Sequence, residues 1–334
     1  PRTPGLTRRG FLAGSLASAA AACAGWPLAA ARGETPARGE TAAGFRFVEQ
    51  PGGRVHLADG AGPVFTYNWG DQLKEGVPAD RTRSCYVHPL VGLDGEVLTD
   101  DFPADHHHHR GVFWTWQRMK AAGKDVDLWT IRGIRQHFGA WLGREARPER
   151  AALAVANEWR VGETVVARET VRLAAHKADA AGRAIDVEVR LEALSPVELL
   201  GAEGKGYGGL GLRFAPREDT VITIQDGRQA RDSDLRRSPW ADLSARFAGR
   251  EAVSGVAILI HPESPGAPNG WTLRHYGFLG PCWPGLTPYT LEPGRPVTLK
   301  YRLWVHRGDA AAGRVAEAWE AYRTAARPPS VTGT

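Results

Sequence analysis

Residues 184–191, Ala184-Ile-Asp-Val-Glu-Val-Arg-Leu191, set Ile185, Val187, Val189 and Leu191 on alternate positions, with Asp186, Glu188 and Arg190 between them. Successive side chains of an extended chain point to opposite faces, so the run has one apolar face and one polar face. It predicts a half-buried β-strand; a helix would need apolar residues three and four apart. The same reading holds for residues 64–69, 111–116, 151–159, 165–173, 221–224, 256–260 and 297–305. All are rich in β-branched or aromatic residues and bounded by Gly, Pro, Asn or Asp. Only residues 310–326 place Val315, Ala318, Trp319 and Tyr322 at helical spacing. The expected fold is all-β: a large antiparallel β-sandwich, supersandwich-like in size, closed by one C-terminal helix and without internal repeats.

The chain of 334 residues is 43% hydrophobic and 24% charged, a balance that supports a buried core and argues against a fibrous or disordered class. Forty Gly and 23 Pro fit many turns, while one Met against 12 Trp is unusual and needs a reason. Thr7-Arg8-Arg9-Gly10-Phe11-Leu12 is a twin-arginine pattern. An Ala-rich apolar run follows, then Ala29-Ala30-Ala31 as a cleavage site. Residues 1–31 are therefore expected to be a signal peptide, 32–44 a flexible linker, 45–326 a single sandwich domain and 327–334 a disordered tail. The mature protein is expected in the periplasm or outside the cell.

Cleavage removes Arg2, Arg8 and Arg9 and no acid, taking the formal charge from +5 to +2, which leaves a nucleic-acid partner little support. No later segment approaches the roughly 20 apolar residues of a membrane span, so no transmembrane segment is expected in the mature chain. Cys85 and Cys282 remain, either as one disulfide or as a buried free pair. The oligomeric state is left open.

The densest chemical cluster is Asp100-Asp-Phe-Pro-Ala-Asp-His-His-His-His-Arg-Gly111, running into Val112-Phe-Trp-Thr-Trp116. Imidazole serves as metal ligand, general acid or base, or hydrogen-bond donor. In extended backbone His106, His108 and Arg110 would face one way and Asp105, His107 and His109 the other. The candidate catalytic residues are Asp105, His106, His108, His109, Arg110 and Glu203. His106, His108 and His109 are also candidate ligands for a divalent metal such as Zn, Mn or Ni. Candidate substrate-binding groups are His88, Lys205, Tyr207, His261 and His275. The loop Gly201-Ala-Glu-Gly-Lys-Gly-Tyr-Gly-Gly209 has neither Walker nor dinucleotide spacing; it reads equally as a ligand loop or a plain glycine hairpin. Trp69, Trp114, Trp116, Trp240, Trp271 and Trp283 lie in or beside these polar segments, and an aromatic face backed by polar groups is what a sugar ring needs. Of these, Trp114, Trp116 and Trp271 are the candidate sugar platforms. Trp159, Trp304 and Trp319 are assigned to the core or the helix.

Together Tyr86-Val-His-Pro-Leu-Val-Gly-Leu-Asp-Gly-Glu-Val-Leu-Thr99, residues 101–111, Gly209-Leu-Gly-Leu-Arg213, Ser238-Pro-Trp-Ala-Asp242, His261-Pro262 and the segment from Pro293-Gly294 to Val305-His306 resemble a bacterial family of unknown function often labelled methane oxygenase PmoA-like. A particulate methane monooxygenase subunit would be an integral membrane protein, so the label is not taken as the function. Leu291-Glu-Pro-Gly294 followed by residues 299–305 looks like the end of a galactose-mutarotase-type supersandwich. That resemblance implies a His acid, here His106 or His108, and a Glu base, here Glu203. The leading expectation is an exported carbohydrate-active protein acting on a glycoside or modified sugar by acid–base hydrolysis, elimination or epimerisation, its substrate a small molecule or oligosaccharide. The alternatives are a non-catalytic sugar-binding or envelope protein and, further off, a metal-dependent oxygenase.

Overall fold

A computed structural model describes residues 44–60 and 62–325. The expected signal peptide, the linker apart from Gly44, and the 327–334 tail lie outside the described residues. Every strand pairing is antiparallel. One nine-stranded sheet runs, edge to edge, Phe45–Gln50, Arg54–Asp59, Gly62–Asn68, Tyr86–Leu90, Val112–Trp116, Gly208–Arg213, Phe278–Cys282, Gly270–Arg274 and Ser233–Arg237. A second runs Gly227–Gln229, Arg217–Ile224, Trp240–Phe247, Val253–Ile260, Val297–Arg307, Gly182–Ala193, Thr164–His176, Arg150–Val161 and Arg135–Ala146. Tyr289–Leu291, Val197–Leu200, Arg118–Ala121 and Lys124–Val126 form a small third sheet.

The alternation that predicted the fold is obeyed side chain by side chain. Ile185, Val187, Val189 and Leu191 are buried, while Asp186, Glu188 and Arg190 are half-buried on the other face. Register then sets opposite charges against one another. Arg172 lies across from Glu188 and donates to it at 2.9 Å, and Arg302 lies across from Asp186 and donates to it at 2.6 Å. Such cross-strand pairs pin a register that a one-residue slip would invert.

One continuous core fills the space between the two large sheets. It includes Trp114, Trp116 and Trp271, each at most 1% exposed, which corrects their expected role as sugar platforms. Trp116 donates from Nε1 to the Trp283 carbonyl at 2.7 Å and Trp271 to the Ser238 carbonyl at 2.8 Å, so their polar ends are satisfied without a ligand. Trp159 is also fully buried there. The helix Val315–Ala325 buries Val315 and Tyr322, and packs Trp319 with Trp304 against Trp240 and Leu259 on the second sheet. Cys85 and Cys282 are free and buried. Among the described residues no helix is long and apolar enough to cross a membrane.

The first sheet has chemistry on its outer face. Along Val112–Trp116, residues Val112, Trp114 and Trp116 enter the core, while Phe113 points outward to meet Tyr86, Trp129 and Phe278. By the same alternation Phe65 and Tyr67 point in, whereas Thr66 and Asn68 point out beside His88.

Candidate active site

A cavity of about 740 Å³ opens on this outer face, lined by His56, Thr66, Asn68 and His88 from three adjacent strands. Lys74, Asp100, Asp101 and Phe102 come from loops that rise above the sheet. The floor is hydrogen-bonded into place. His56 Nδ1 lies 2.7 Å from Thr66 Oγ1, Asn68 donates to the His88 carbonyl at 2.7 Å, and His88 Nδ1 lies 3.0 Å from Thr99 Oγ1. Gly111 lets the loop after Phe102 return close to this floor, since a Cβ there would sit 2.3 Å from the Val87 carbonyl oxygen and 3.0 Å from His88 Cβ.

Asp101 is a wall carboxyl with strongly perturbed acid–base behaviour. Tyr86 donates its hydroxyl to Oδ2 at 2.8 Å, and Arg110 Nε approaches Oδ1 at 3.4 Å. Burial pushes the carboxyl up to about 6, against the opposing pull of Arg110 and the Tyr86 hydroxyl. Burial, helped by Arg110 and Lys74, pushes His88 down to about 4, so its imidazole is neutral near pH 7. The cavity therefore holds a carboxyl that changes protonation close to neutrality beside an uncharged imidazole.

Arg110 does not face this cavity. It is 0% exposed, its guanidinium stacks 3.4 Å from the Phe102 ring centroid, and it donates to the carbonyls of His107, His109 and Arg81 at 2.8, 2.6 and 2.5 Å. Its expected catalytic role is corrected to a positioning one: it ties the histidine loop to Asp101.

The histidine run is not extended, which overturns the two-face reading. His106 N donates to the Pro103 carbonyl and His109 N to the His106 carbonyl, two successive turns. These fold the rings together: His106 stacks on His109 at 4.5 Å and 5°, and His108 meets His109 edge-on at 4.6 Å. Asp105 accepts from Arg213 at 2.8 and 2.9 Å and lies 3.0 Å from His106 Nδ1. Tyr276 stacks outside His106, and Phe278 packs beneath His109. Burial first, then His106, Arg83 and Arg81, pushes His108 down to about 3; burial and the other two imidazoles hold His109 well below the usual histidine range.

Face-to-face imidazoles do not converge their lone pairs on one point, as a tetrahedral or octahedral metal site requires. Among the described residues no group of three His, Cys, Asp or Glu is placed to hold a metal ion. The residues do not fit the expected divalent metal.

The remaining candidates separate. Glu203 and Lys205 are exposed in a turn closed by Gly206 N donating to the Ala202 carbonyl, the plain hairpin reading. Tyr207 packs on Trp129 at 4.7 Å, and Trp129 in turn meets His109 at 5.6 Å, so this phenol borders the histidine cluster. His275 lies 2.8 Å from Asp232 at the sheet edge. His261 packs against Tyr322 of the helix, on the other sheet. His88, the histidine run, Glu203 and His275 thus do not meet in one pocket. Asp101, His56, Asn68 and Lys74 were not among the candidates. Asp101 stood inside the densest cluster, and its signal was adjacency to Asp100 before a proline-containing turn.

No curated protein matches the chain. Solved structures to which the chain is similar include a galactose mutarotase related enzyme from Lactobacillus acidophilus, at 10% identity and TM-score 0.37 over 78% of this chain and 97% of that one. A GalM/aldose epimerase homologue from C. elegans is similar at 8% identity and TM-score 0.33 over 80% of this chain and 100% of that one. A putative kojibiose phosphorylase from human microbiome is similar at 10% identity and TM-score 0.36 over 80% of this chain. This chain spans 32% of the phosphorylase. Residues 54–320 match a family described as Family of unknown function (DUF6807), and the chain belongs to that family.

Proposed function

We propose that the protein is an exported carbohydrate-active enzyme whose acid–base chemistry takes place in the cavity walled by His88 and Asp101. The observation that carries the reading is Asp101 itself, a half-buried carboxyl lifted to about 6 that lines a cavity of about 740 Å³. A carboxyl so placed exchanges a proton with a bound hydroxyl or glycosidic oxygen near neutral pH, and Tyr86 and Arg110 steady the carboxylate once the proton has left. Neutral His88 offers a second proton-transfer or hydrogen-bonding group in the same cavity. His56, Thr66 and Lys74 add polar side chains to the same wall, which favours a polyhydroxylated ligand over an apolar one. The reaction class is hydrolysis, elimination or epimerisation of a glycoside or modified sugar.

The test is a turnover screen of p-nitrophenyl glycosides and reducing oligosaccharides, with hydrolysis, elimination and epimerisation products read by mass spectrometry and NMR. Wild type is expected to convert at least one, and folded Asp101→Asn to convert it about 10²-fold or more slowly. Sugar binding without conversion by wild type would establish the non-catalytic sugar-binding reading instead.

A further inference from the structure

A second cavity, of about 400 Å³, opens at the far end of the first sheet. Phe278, Gly280 and Cys282 share one face of their strand, and Phe278 belongs to the outer aromatic cluster. Cys282 and its register partner Gly270, both lining this cavity, therefore open on the same side of the sheet as His88. Five strand spacings of about 4.8 Å separate Gly62–Asn68 from Gly270–Arg274, so the two cavities lie at least roughly 24 Å apart on one face, with a further offset along the strands.

The lining of this second cavity is unlike that of a packed core. Tyr289 is 37% exposed, with its ring tilted against Trp283 at 5.1 Å, and Leu286 beside it is 51% exposed. Two of the eight exposed large apolar side chains among the described residues thus sit at one rim. Arg237 is exposed, its guanidinium makes a long 3.4 Å bond to the Gly266 carbonyl, and among the described residues it has no carboxylate partner. Asn269, 5% exposed, donates from Nδ2 to the Pro265 carbonyl at 3.1 Å, which fixes the orientation of its amide and leaves Oδ1 without a protein donor. The wall is also strained. Leu235 holds a φ of 61° at a bulge between Asp234 and Arg236, where Gly270 across the ladder passes so close that a Cβ on it would lie 2.9 Å from Leu235 Cα. Bulges and left-handed non-glycine residues concentrate where a strand re-aims its side chains at a functional surface.

We propose that this cavity is a carbohydrate-binding subsite that seats a pyranose ring against Tyr289, with Arg237 and Asn269 meeting its hydroxyls. An aromatic face takes the C–H side of a sugar ring, a guanidinium bridges neighbouring hydroxyl oxygens, and a carboxamide oxygen accepts from a hydroxyl. The subsite binds and does not react. Burial raises the Cys282 thiol to about 11 and Thr272 lies 3.5 Å from it, so no thiolate is offered there, and no carboxylate or imidazole is among the residues that line the cavity. A separation of about 24 Å is bridged by an oligosaccharide and not by a monosaccharide, so the subsite selects chain length; this length selection rests on the reading of the first cavity as a sugar site. Binding at Tyr289 stands on its own residues, independent of the chemistry at Asp101.

The test is retention on a printed array of plant and microbial oligosaccharides, comparing wild type with Tyr289→Ala, Tyr289→Phe and Asp101→Asn. Wild type is expected to retain a subset of the longer oligosaccharides. Tyr289→Ala should weaken retention about tenfold or more, Tyr289→Phe should preserve it, and Asp101→Asn should still be retained. No retention by wild type, or equal retention by Tyr289→Ala, overturns the proposal. Loss confined to Asp101→Asn also overturns it, by moving the binding to the first cavity.

Discussion

Arg110 and Asp101 meet at 3.4 Å, and through that contact the histidine loop and the cavity wall are held as one unit. The arginine is wholly buried, with its charge spread over three main-chain carbonyls and the Phe102 ring. Asp101 is the carboxylate that faces it, and burial nonetheless lifts Asp101 towards neutrality. The pair therefore sets how easily Asp101 gives up its proton, a task for a residue that never touches substrate.

Arg110→Met should be strongly destabilising, because it frees three carbonyls and removes the counter-charge of a half-buried acid. A loss of about 3–5 kcal/mol is expected for a broken buried pair. Urea unfolding followed by tryptophan fluorescence measures it; a loss within about 0.5 kcal/mol, typical of a surface substitution, would contradict the role. Arg110→Lys should recover only part of the loss, since an ammonium cannot stack on Phe102 or span the three acceptors.

His306 and Asp242 form a second buried pair, at 2.8 Å with both side chains 0% exposed, and Ser244 also donates to the carboxylate. Burial lowers the imidazole, but the charge and hydrogen bond of Asp242 outweigh it, so the net shift is upward. A histidine raised on folding contributes its full stability below the unfolded value of about 6.5, and that contribution is lost as pH rises through the folded value. The urea midpoint should therefore fall on the alkaline side of this window. His306→Gln should flatten that part of the profile while lowering stability throughout; an unchanged slope would show that the pair does not titrate.

The sheet plan was legible because period-two runs such as 184–191 and 297–305 show their buried face directly. The site was less so. Val112-Phe-Trp-Thr-Trp116 is apolar on both faces, because one meets the core and the other meets Trp129 and Phe278, so alternation alone did not show that Trp114 and Trp116 point inward. The histidines were legible as a cluster, but the turns that stack them depend on main-chain bonds to Pro103 and His106 that composition does not reveal. Asp101 was passed over because its acid–base behaviour comes from burial, opposed by Arg110 and Tyr86, all long-range features.

Metal removal gives a further prediction. The stacked geometry of His106 and His109 offers no convergent donor set, so dialysis against EDTA should leave turnover and thermal midpoint unchanged. Loss of activity that Zn or Mn restores would show that the histidine loop rearranges to bind metal.

The pH dependence of kcat/KM for a converted glycoside, compared between wild type and Asp101→Asn, tests the central claim most directly. Wild type should show a limb with an inflection near the Asp101 value of about 6. Asp101→Asn should lose that limb and about 10²–10⁴-fold in rate, the range for a general acid or base, while keeping its fold. A variant that retains wild-type rate and the same inflection would contradict the account and move the chemistry away from this cavity.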